Sequence, residues 1–583
     1  MKKILGLAVI GSMITSPAWA EQSLYLAYPP KEHKTASEQI FLIGTAPATG
    51  EVLINGKAIS RSPAGHFAPS FPLQLGENRF TLRYQQQEIE VKITRLSTQP
   101  EVPVGLAFGK DSLTPVVDIA RLPGELICFS AIAPVNAIVA VNIGNNTIPL
   151  QPQSQDVSLP ANSAVLTAQN QPTPQSSTGQ YQGCATAEAT GQLGQPQYQL
   201  TLKGETISQS APGKISILSP VQLEVAEVTA NAGVARTGPS TDYSRLTPLP
   251  KGVRATITGK EGKWVRLDYG AWIKAEEVRI IPTSVPPTSL IRSITSRQIE
   301  GATEIIFPLQ TPIPVSVQQG DKTFTLTLYN TTAQTDTIRL DDDPLIERLD
   351  WQQVTPTRLE YTFNLKSSQQ WGYNLRYEGT TLVLTLRHPP QLQSKSNQPL
   401  AGIKILLDPG HGGEELGSRG PTGYPEKDVN LVVSKLLQKE LVQRGATVYM
   451  TRETDKFVSL NDRVEMINQL QPTIALSIHY NALPDSGDAI NTAGVGMFWY
   501  HPQAHSLSTF LQNYLVQKLK RPSYGVFWNN LALTRPHTAP AVLLELGFMI
   551  NPLEFEWVTN PAQQKELTSA IADGVVTWLH TVK

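Results

Sequence analysis

The rhythm of apolar and polar positions changes once along this chain, near residue 400. Upstream, short apolar runs in the two-residue period of strands recur between turn residues. In residues 21–98 the runs are Phe41-Leu42-Ile43, Val52-Leu53-Ile54, Phe80-Thr81-Leu82 and Val91-Lys92-Ile93, punctuated by Asn55-Gly56 and Gly76-Glu77-Asn78. Residues 99–215 continue the pattern, for instance from Ala137 to Gly144, but a Gln/Pro/Ser-rich stretch from Gln151 to Gln182 interrupts it. That stretch carries too little apolar surface to pack and reads as a long surface loop. Further strand-rich units occupy 221–282 and 288–388, the second with Phe324 to Leu328, Leu382 to Leu386 and a Glu378-Gly379 turn. Pro-bearing linkers lie at 282–287 and 389–401.

From Gly402 strands and helices alternate. Ile403 to Leu407 reads as a buried strand. Val429, Val432, Val433, Leu436, Leu437 and Leu441 recur at helical spacing, with Gly445 as the stop. Thr447 to Met450, Ile474 to Ile478, Val495 to Tyr500 and Val542 to Leu546 are further strands. Ser459-Leu460-Asn461-Asp462 opens a short helix in the manner of a capping box, and longer helices are expected at Leu507 to Leu519 and Gln564 to His580. The expected fold is therefore multidomain: N-terminal all-β modules, then an α/β domain over 402–583 with a largely parallel sheet flanked by helices.

Composition narrows the function. A chain of 583 residues exceeds one hydrophobic core. Its 48 basic and 49 acidic side chains give a formal net charge of -1, so no whole-chain field favours nucleic acid or an anionic membrane. Lys2 and Lys3, an apolar run from Ile4 to Ile14 and Ala18-Trp19-Ala20 describe a secretory signal over 1–20, cleaved after Ala20. The run is too short to span a bilayer, so a protein secreted to the periplasm or cell wall, without a membrane-spanning segment, is expected. Cys128 and Cys184 are the two cysteines; in an oxidising compartment they either form one disulfide or remain two buried thiols.

Ligands of parallel sheets collect at the C-terminal strand ends, and three such ends carry chemistry. They are Asp408-Pro409-Gly410-His411-Gly412-Gly413, Ser477-Ile478-His479-Tyr480-Asn481 and Leu544-Glu545-Leu546-Gly547-Phe548, with Glu426 at the start of the first helix. A catalytic zinc takes three His or carboxylate ligands and leaves a position for water, which fits His411, Glu426 and His479. Zinc lowers the pKa of bound water towards about 7, and a separate carboxylate must then move the proton to the leaving amine. Glu545, flanked by leucines that raise its pKa, suits that task. Taken singly, a buried His is ordinarily a hydrogen-bonded core residue, and Glu426 a helix-start carboxylate favoured by the dipole. Three such residues at strand ends, with Glu426 at the helix start, together point to a site.

These motifs, with Thr451-Arg452, Asp455 and Asn551 in order, resemble the zinc-dependent N-acetylmuramoyl-L-alanine amidases over residues 402–583. The resemblance implies hydrolysis of the amide between N-acetylmuramic acid and L-alanine of the peptidoglycan stem peptide. It implies one Zn2+ on His411, Glu426 and His479, and Glu545 as general acid/base. Asn481, Arg452 and His537 are the expected substrate contacts, although a structural role for Arg452 and Arg463, and a surface position for His537, fit the sequence as well. Some periplasmic relatives plug the site with an inserted helix; the short loop from Asn481 to Gly494 leaves no room for one, so control by localisation is expected.

Upstream, Gly44-Thr45-Ala46 to Asn55-Gly56, closed by Leu75-Gly76-Glu77-Asn78, resembles small immunoglobulin-like sandwiches. Val234-Ala235-Arg236-Thr237-Gly238-Pro239, Gly262-Lys263-Trp264-Val265 and Gly270-Ala271-Trp272-Ile273 resemble a bacterial SH3 barrel, with both tryptophans expected in the core. Residues 288–388 resemble AMIN localisation domains, carried by Trp371-Gly372-Tyr373 before the last hairpin. Such modules imply direction to the wall or to cell-envelope proteins. Two other readings stay open: a binding or scaffold protein without catalysis, and another zinc amide hydrolase.

Overall fold

The computed structural model describes residues 23–582, apart from 100, 154–155, 168–169, 176–177 and 393–396. The expected signal segment therefore lies outside the described residues. Among these residues no helix is long and apolar enough to cross a membrane.

Upstream of residue 400 the chain is strand-rich and forms four apolar cores. The first is built on Ile40, Leu42, Phe67, Leu82 and Val91, the second on Phe129, Val141, Tyr198 and Ile215. The third gathers Ala255, Val265, Leu267 and Ile273, and the fourth Ile305, Phe324, Leu326, Tyr361 and Leu384. Long alternating strands such as Gly76–Tyr84 paired to Gln87–Arg95 arise where every second residue is apolar. The second and third cores are joined by one continuous sheet, because Ile119–Arg121 pairs with Arg254–Glu261. Trp272 is buried, while Trp264 is half-buried.

Cys128 and Cys184 face each other on paired strands and form a disulfide. The polar stretch after Gln151 is not featureless. It carries a small hairpin, Asp156–Ser158 with Thr173–Gln175, around a helical turn at Asn162–Thr167.

The C-terminal domain has six strands: β1 Lys404–Pro409, β2 Thr447–Met450, β3 Ile474–Asn481, β4 Val495–Trp499, β5 Ser523–Trp528 and β6 Ala541–Phe548. Its helices are α1 Glu426–Gln443, α2 Leu460–Leu470, α3 His505–Leu519, α4 Pro552–Val558 and α5 Pro561–Thr581. The sheet order is β2-β1-β3-β6-β4-β5. Neighbours are parallel except β4 and β6, which are antiparallel, so the sheet is mixed rather than uniformly parallel. Helix α1 follows the apolar spacing and buries Val429, Val433, Leu437 and Leu441; Gly445 after it has φ +96°. Ser459 caps α2 by accepting from the Asp462 amide. Strand β5 and helix α4 have no counterpart in the sequence reading; α4 starts on Asn551, whose side chain accepts from the amides of Leu553 and Glu554.

The first unit is seated on the C-terminal domain beside β3. Phe41, Ile43 and Ala68 pack with Ala489, Phe548 and Ile550 in one apolar seam. Tyr28 and His33 both bond Asp485, the histidine at 3.0 Å, and Gln39 donates to the Ser486 carbonyl. The loop that follows β3 is thus clamped by another part of the chain. Phe41→Asp would put an unpaired charge in this seam. Faster amide exchange over residues 483–491 is the expected outcome; unchanged exchange there would show that the seam does not hold the loop.

Candidate active site

The site is assembled at the C-terminal ends of β1, β3 and β6. Strand pairing places His479 beside Glu545, and a bulge follows, so that Asn481 faces Phe548. A bulge at this point re-aims the side chains next to it. After β1 the chain reverses through His411, Gly412 and Gly413, with φ of +58°, +134° and +58°. His411 is the residue for which this left-handed conformation is costly. Arg463 holds it there, donating to the His411 carbonyl at 2.6 Å and to that of Pro409 at 2.8 Å.

His411, Glu426 and His479 converge: their ligand atoms all lie within 4.8 Å of one another. Glu426 Oε2 lies 3.3 Å from His411 Nε2, and Oε1 lies 3.0 Å from His479 Nδ1. Glu426 is 3% exposed. It is gripped by the Ser418 amide and hydroxyl, the Tyr480 amide and Asn430 Nδ2 at 2.9–3.1 Å. Burial works to raise its pKa, but the two imidazoles prevail and hold the carboxyl well below its ordinary range. His411, in turn, is lowered by burial and raised further by Glu426, ending above its ordinary value. A Cβ on Gly410 would stand 2.2 Å from the His479 ring, and one on Gly417 would stand 2.5 Å from Glu426 Oε2. The centre therefore has no room for larger residues at these two positions.

Glu545 sits alongside, and its Oε2 is buried with no hydrogen-bond partner among the described residues. Burial first, and the Glu426 charge second, push its pKa well above the carboxylate range. Such a shift makes the Glu545 carboxylate a stronger proton acceptor than an ordinary glutamate. Asn481 Nδ2 is likewise unpartnered and buried.

Arg452 is fully enclosed and donates to the carbonyls of Pro409, Gly410 and Lys427 at 2.7–2.9 Å, so all its directed bonds hold backbone around the site. Lys427 and the Gly413 amide share Asp455. His537 is not brought to the centre. It stacks on Tyr373 with centroids 4.7 Å apart, in the segment leading into β6 at the opposite end of the sheet. Burial drives its pKa down to about 3, and the neighbouring His501 adds to this.

Several participants escaped the sequence reading. Asn430 lies one helical turn after Glu426 and was legible from that spacing. Ser418 and Tyr524 carried no such signal. Tyr524 packs on Phe548 and is raised to about 12, by burial and then by the Glu545 charge. Its hydroxyl donates to the Leu166 carbonyl at 2.6 Å, from the helical turn of the polar stretch.

Residues 405–577 match the family model described as N-acetylmuramoyl-L-alanine amidase. A probable cell wall amidase, LytH of Staphylococcus aureus, is 37% identical over 184 residues, which are 31% of this chain and 60% of that protein. The chain thus spans about 60% of the length of the curated relatives it matches. Among solved structures, the N-acetylmuramoyl-L-alanine amidase of Clostridium difficile 630 is 29% identical, covers 32% of this chain and all of its own, and superposes with a TM-score of 0.30. AmiC2 of Nostoc punctiforme, an amidase of the same name, is 28% identical, with 32% and 99% coverage and a TM-score of 0.29.

Proposed function

We propose that this protein is an exported peptidoglycan hydrolase that cuts the amide between N-acetylmuramic acid and the L-alanine of the stem peptide. The observation that carries the reading is the His411–Glu426–His479 group, closed to within 4.8 Å, with an unpartnered glutamate beside it. Two neutral-capable imidazoles and one ionised carboxylate suit zinc, and the bonds from Ser418, Asn430 and Tyr480 orient Glu426 for it. When bound, such an ion supplies Lewis acidity and makes water acidic enough to react near neutral pH.

The chain's own residues do the rest. Glu545 takes a proton from the attacking water and returns it to the amine leaving group, a role for which a raised pKa is suited. The exposed edges of the two imidazoles and Asn481 Nδ2 define where the amide sits. Arg452 and Arg463 keep the Pro409–Gly413 turn in place and serve as positioning residues. The upstream units, resembling an immunoglobulin-like sandwich (21–98), a second β unit (99–215), an SH3 barrel (221–282) and an AMIN-like unit (288–388), would present this domain to the wall or to envelope proteins.

Peptidoglycan incubated with the zinc-loaded full chain should yield new L-alanine amino termini; new reducing sugar ends, with no new amino termini, would overturn the reading. Glu426→Gln is expected to carry far less zinc than the roughly one ion per chain of the parent, as read by elemental mass spectrometry. Retention of a full ion would remove Glu426 from the ligand set.

A further inference from the structure

At the other end of the catalytic sheet lies a second concavity, of about 950 Å³, within the usual range of ligand sites. Three parts of the chain enclose it: the barrel-like unit through Arg245 and Tyr269, the strand Val315–Gln319, and the catalytic domain through Tyr500, Trp528 and Arg535. Strand β4 runs antiparallel to β6, with Gly496 opposite Glu545 and Phe498 opposite Leu543. Residues after β4 and before β6 are therefore displaced from Glu545 by most of the strand length, roughly 13–17 Å at 3.3 Å per residue.

The lining has two marked chemical features. It contains arginines but no Asp or Glu among the described residues. Neither Arg245 nor Arg535 has an ion-pair partner there, and Arg535 is pushed down to about 10 by burial and then by the charges of Arg245 and Arg236. Glu277, whose charge acts on Arg245 from outside the lining, is bonded to the Val234 amide at 2.6 Å; the guanidinium groups still repel one another, and an incoming anion relieves that repulsion. Around them are flat faces: Tyr500 against Trp528 at 5.1 Å, and Tyr269 against Tyr329 at 4.6 Å. The buried Tyr269 hydroxyl has no hydrogen-bond partner among the described residues.

The second feature selects the kind of anion. The strand Val315–Gln319 is the outermost of its sheet, paired on one side only to Thr323–Tyr329, and its length lines the cavity. On its open side the Val317 amide is met by the Thr247 hydroxyl at 3.0 Å, and by strand alternation Val315 and Gln319 turn their backbone groups to that same side. An open strand edge binds an extended peptide through main-chain hydrogen bonds. A sugar or a simple anion has no use for it.

We propose that this cavity is a second binding site, for a short extended peptide with free carboxylates, the chemistry of a released stem peptide. The peptide's origin rests on the amidase reading; its binding does not. The site would retain wall peptide far from the catalytic centre, with Arg245 and Arg535 taking its carboxylates and the strand edge its backbone.

The test is calorimetric titration of the full chain, first treated with chelator so that the catalytic centre is silenced, with the tripeptide L-alanyl-D-glutamyl-diaminopimelate. One peptide per chain is expected, with affinity falling about tenfold or more in Arg245→Gln and in Arg535→Gln. Lysine at either position should recover part of the loss, and unchanged melting transitions and hydrolysis would show both variants folded. Absence of binding by the parent, or equal binding by both glutamine variants, overturns the proposal. So does equal binding of the tripeptide's neutral carboxamide, or inorganic phosphate binding as tightly as the tripeptide. These outcomes leave the hydrolysis assay untouched, so failure here and failure of the amidase reading are distinguishable.

Discussion

Glu545→Gln is expected to lower the rate of peptidoglycan hydrolysis by about 10²–10⁴-fold, the usual worth of a positioned general acid/base, while binding to the wall is spared. The fold should not suffer. Glu545 is a carboxyl whose native pKa lies well above its ordinary value, because burial and the Glu426 charge disfavour its ionised form. The native state thus holds this proton more tightly than the unfolded chain. Its contribution falls as pH rises from the unfolded pKa, near 4.5, towards the native one. Glutamine removes that penalty and keeps the shape, so the melting temperature at neutral pH should be unchanged or higher. A variant that loses activity and stability together would mark Glu545 as structural, and one that keeps its activity would remove it from the mechanism.

Asp408→Ala should cost about 3–5 kcal/mol of stability, because it strands a buried guanidinium. Asp408 and Arg463 form an ion pair at 2.6 Å, with both side chains 2% exposed. The hydroxyls of Thr451 and Ser477 each donate to the same carboxylate at 2.6 Å. Burial alone would raise the Asp408 pKa, but Arg463, then Ser477 and Thr451, carry it below its ordinary 3.8. A depressed carboxyl adds stability that is fully present above the unfolded pKa and fades as pH falls through the native one. The parent should therefore lose this increment in acid, below about pH 4, and Asp408→Ala should show a flatter acid limb in chemical unfolding. Arg463 also anchors the His411 carbonyl, so the variant should bind zinc more weakly. An unchanged unfolding midpoint would contradict this account of the buried network.

The C-terminal domain was legible because its signals are local. Helical spacing from Val429 to Leu441 gave α1, Ser459 gave the start of α2, and polar groups at three strand ends, with Glu426 at the helix start, gave the His411–Glu426–His479 cluster and Glu545 beside it. Strand β5 was missed since Ser523–Trp528 mixes aromatic, glycine and polar residues without a clear period. The antiparallel β4–β6 pairing was missed because alternation of elements does not reveal strand direction. His537 failed for a related reason: its closeness to Glu545 in sequence runs along a strand, which carries the two residues to opposite ends of the sheet. The clamp of the first unit on the loop after β3 depends on partners more than 400 residues apart, Tyr28, His33 and Asp485, which no local pattern encodes. Nor did the polar stretch after Gln151 betray that Leu166 would meet Tyr524.

The most direct test is mass spectrometry of the fragments released from purified peptidoglycan by the zinc-loaded full chain, with Glu545→Gln in parallel. The account predicts intact stem peptides beginning with L-alanine, muramic acid keeping its free lactyl carboxylate, and neither product from Glu545→Gln. Peptides cut internally, sugars that have lost only acetyl groups, or equal release by Glu545→Gln would contradict it.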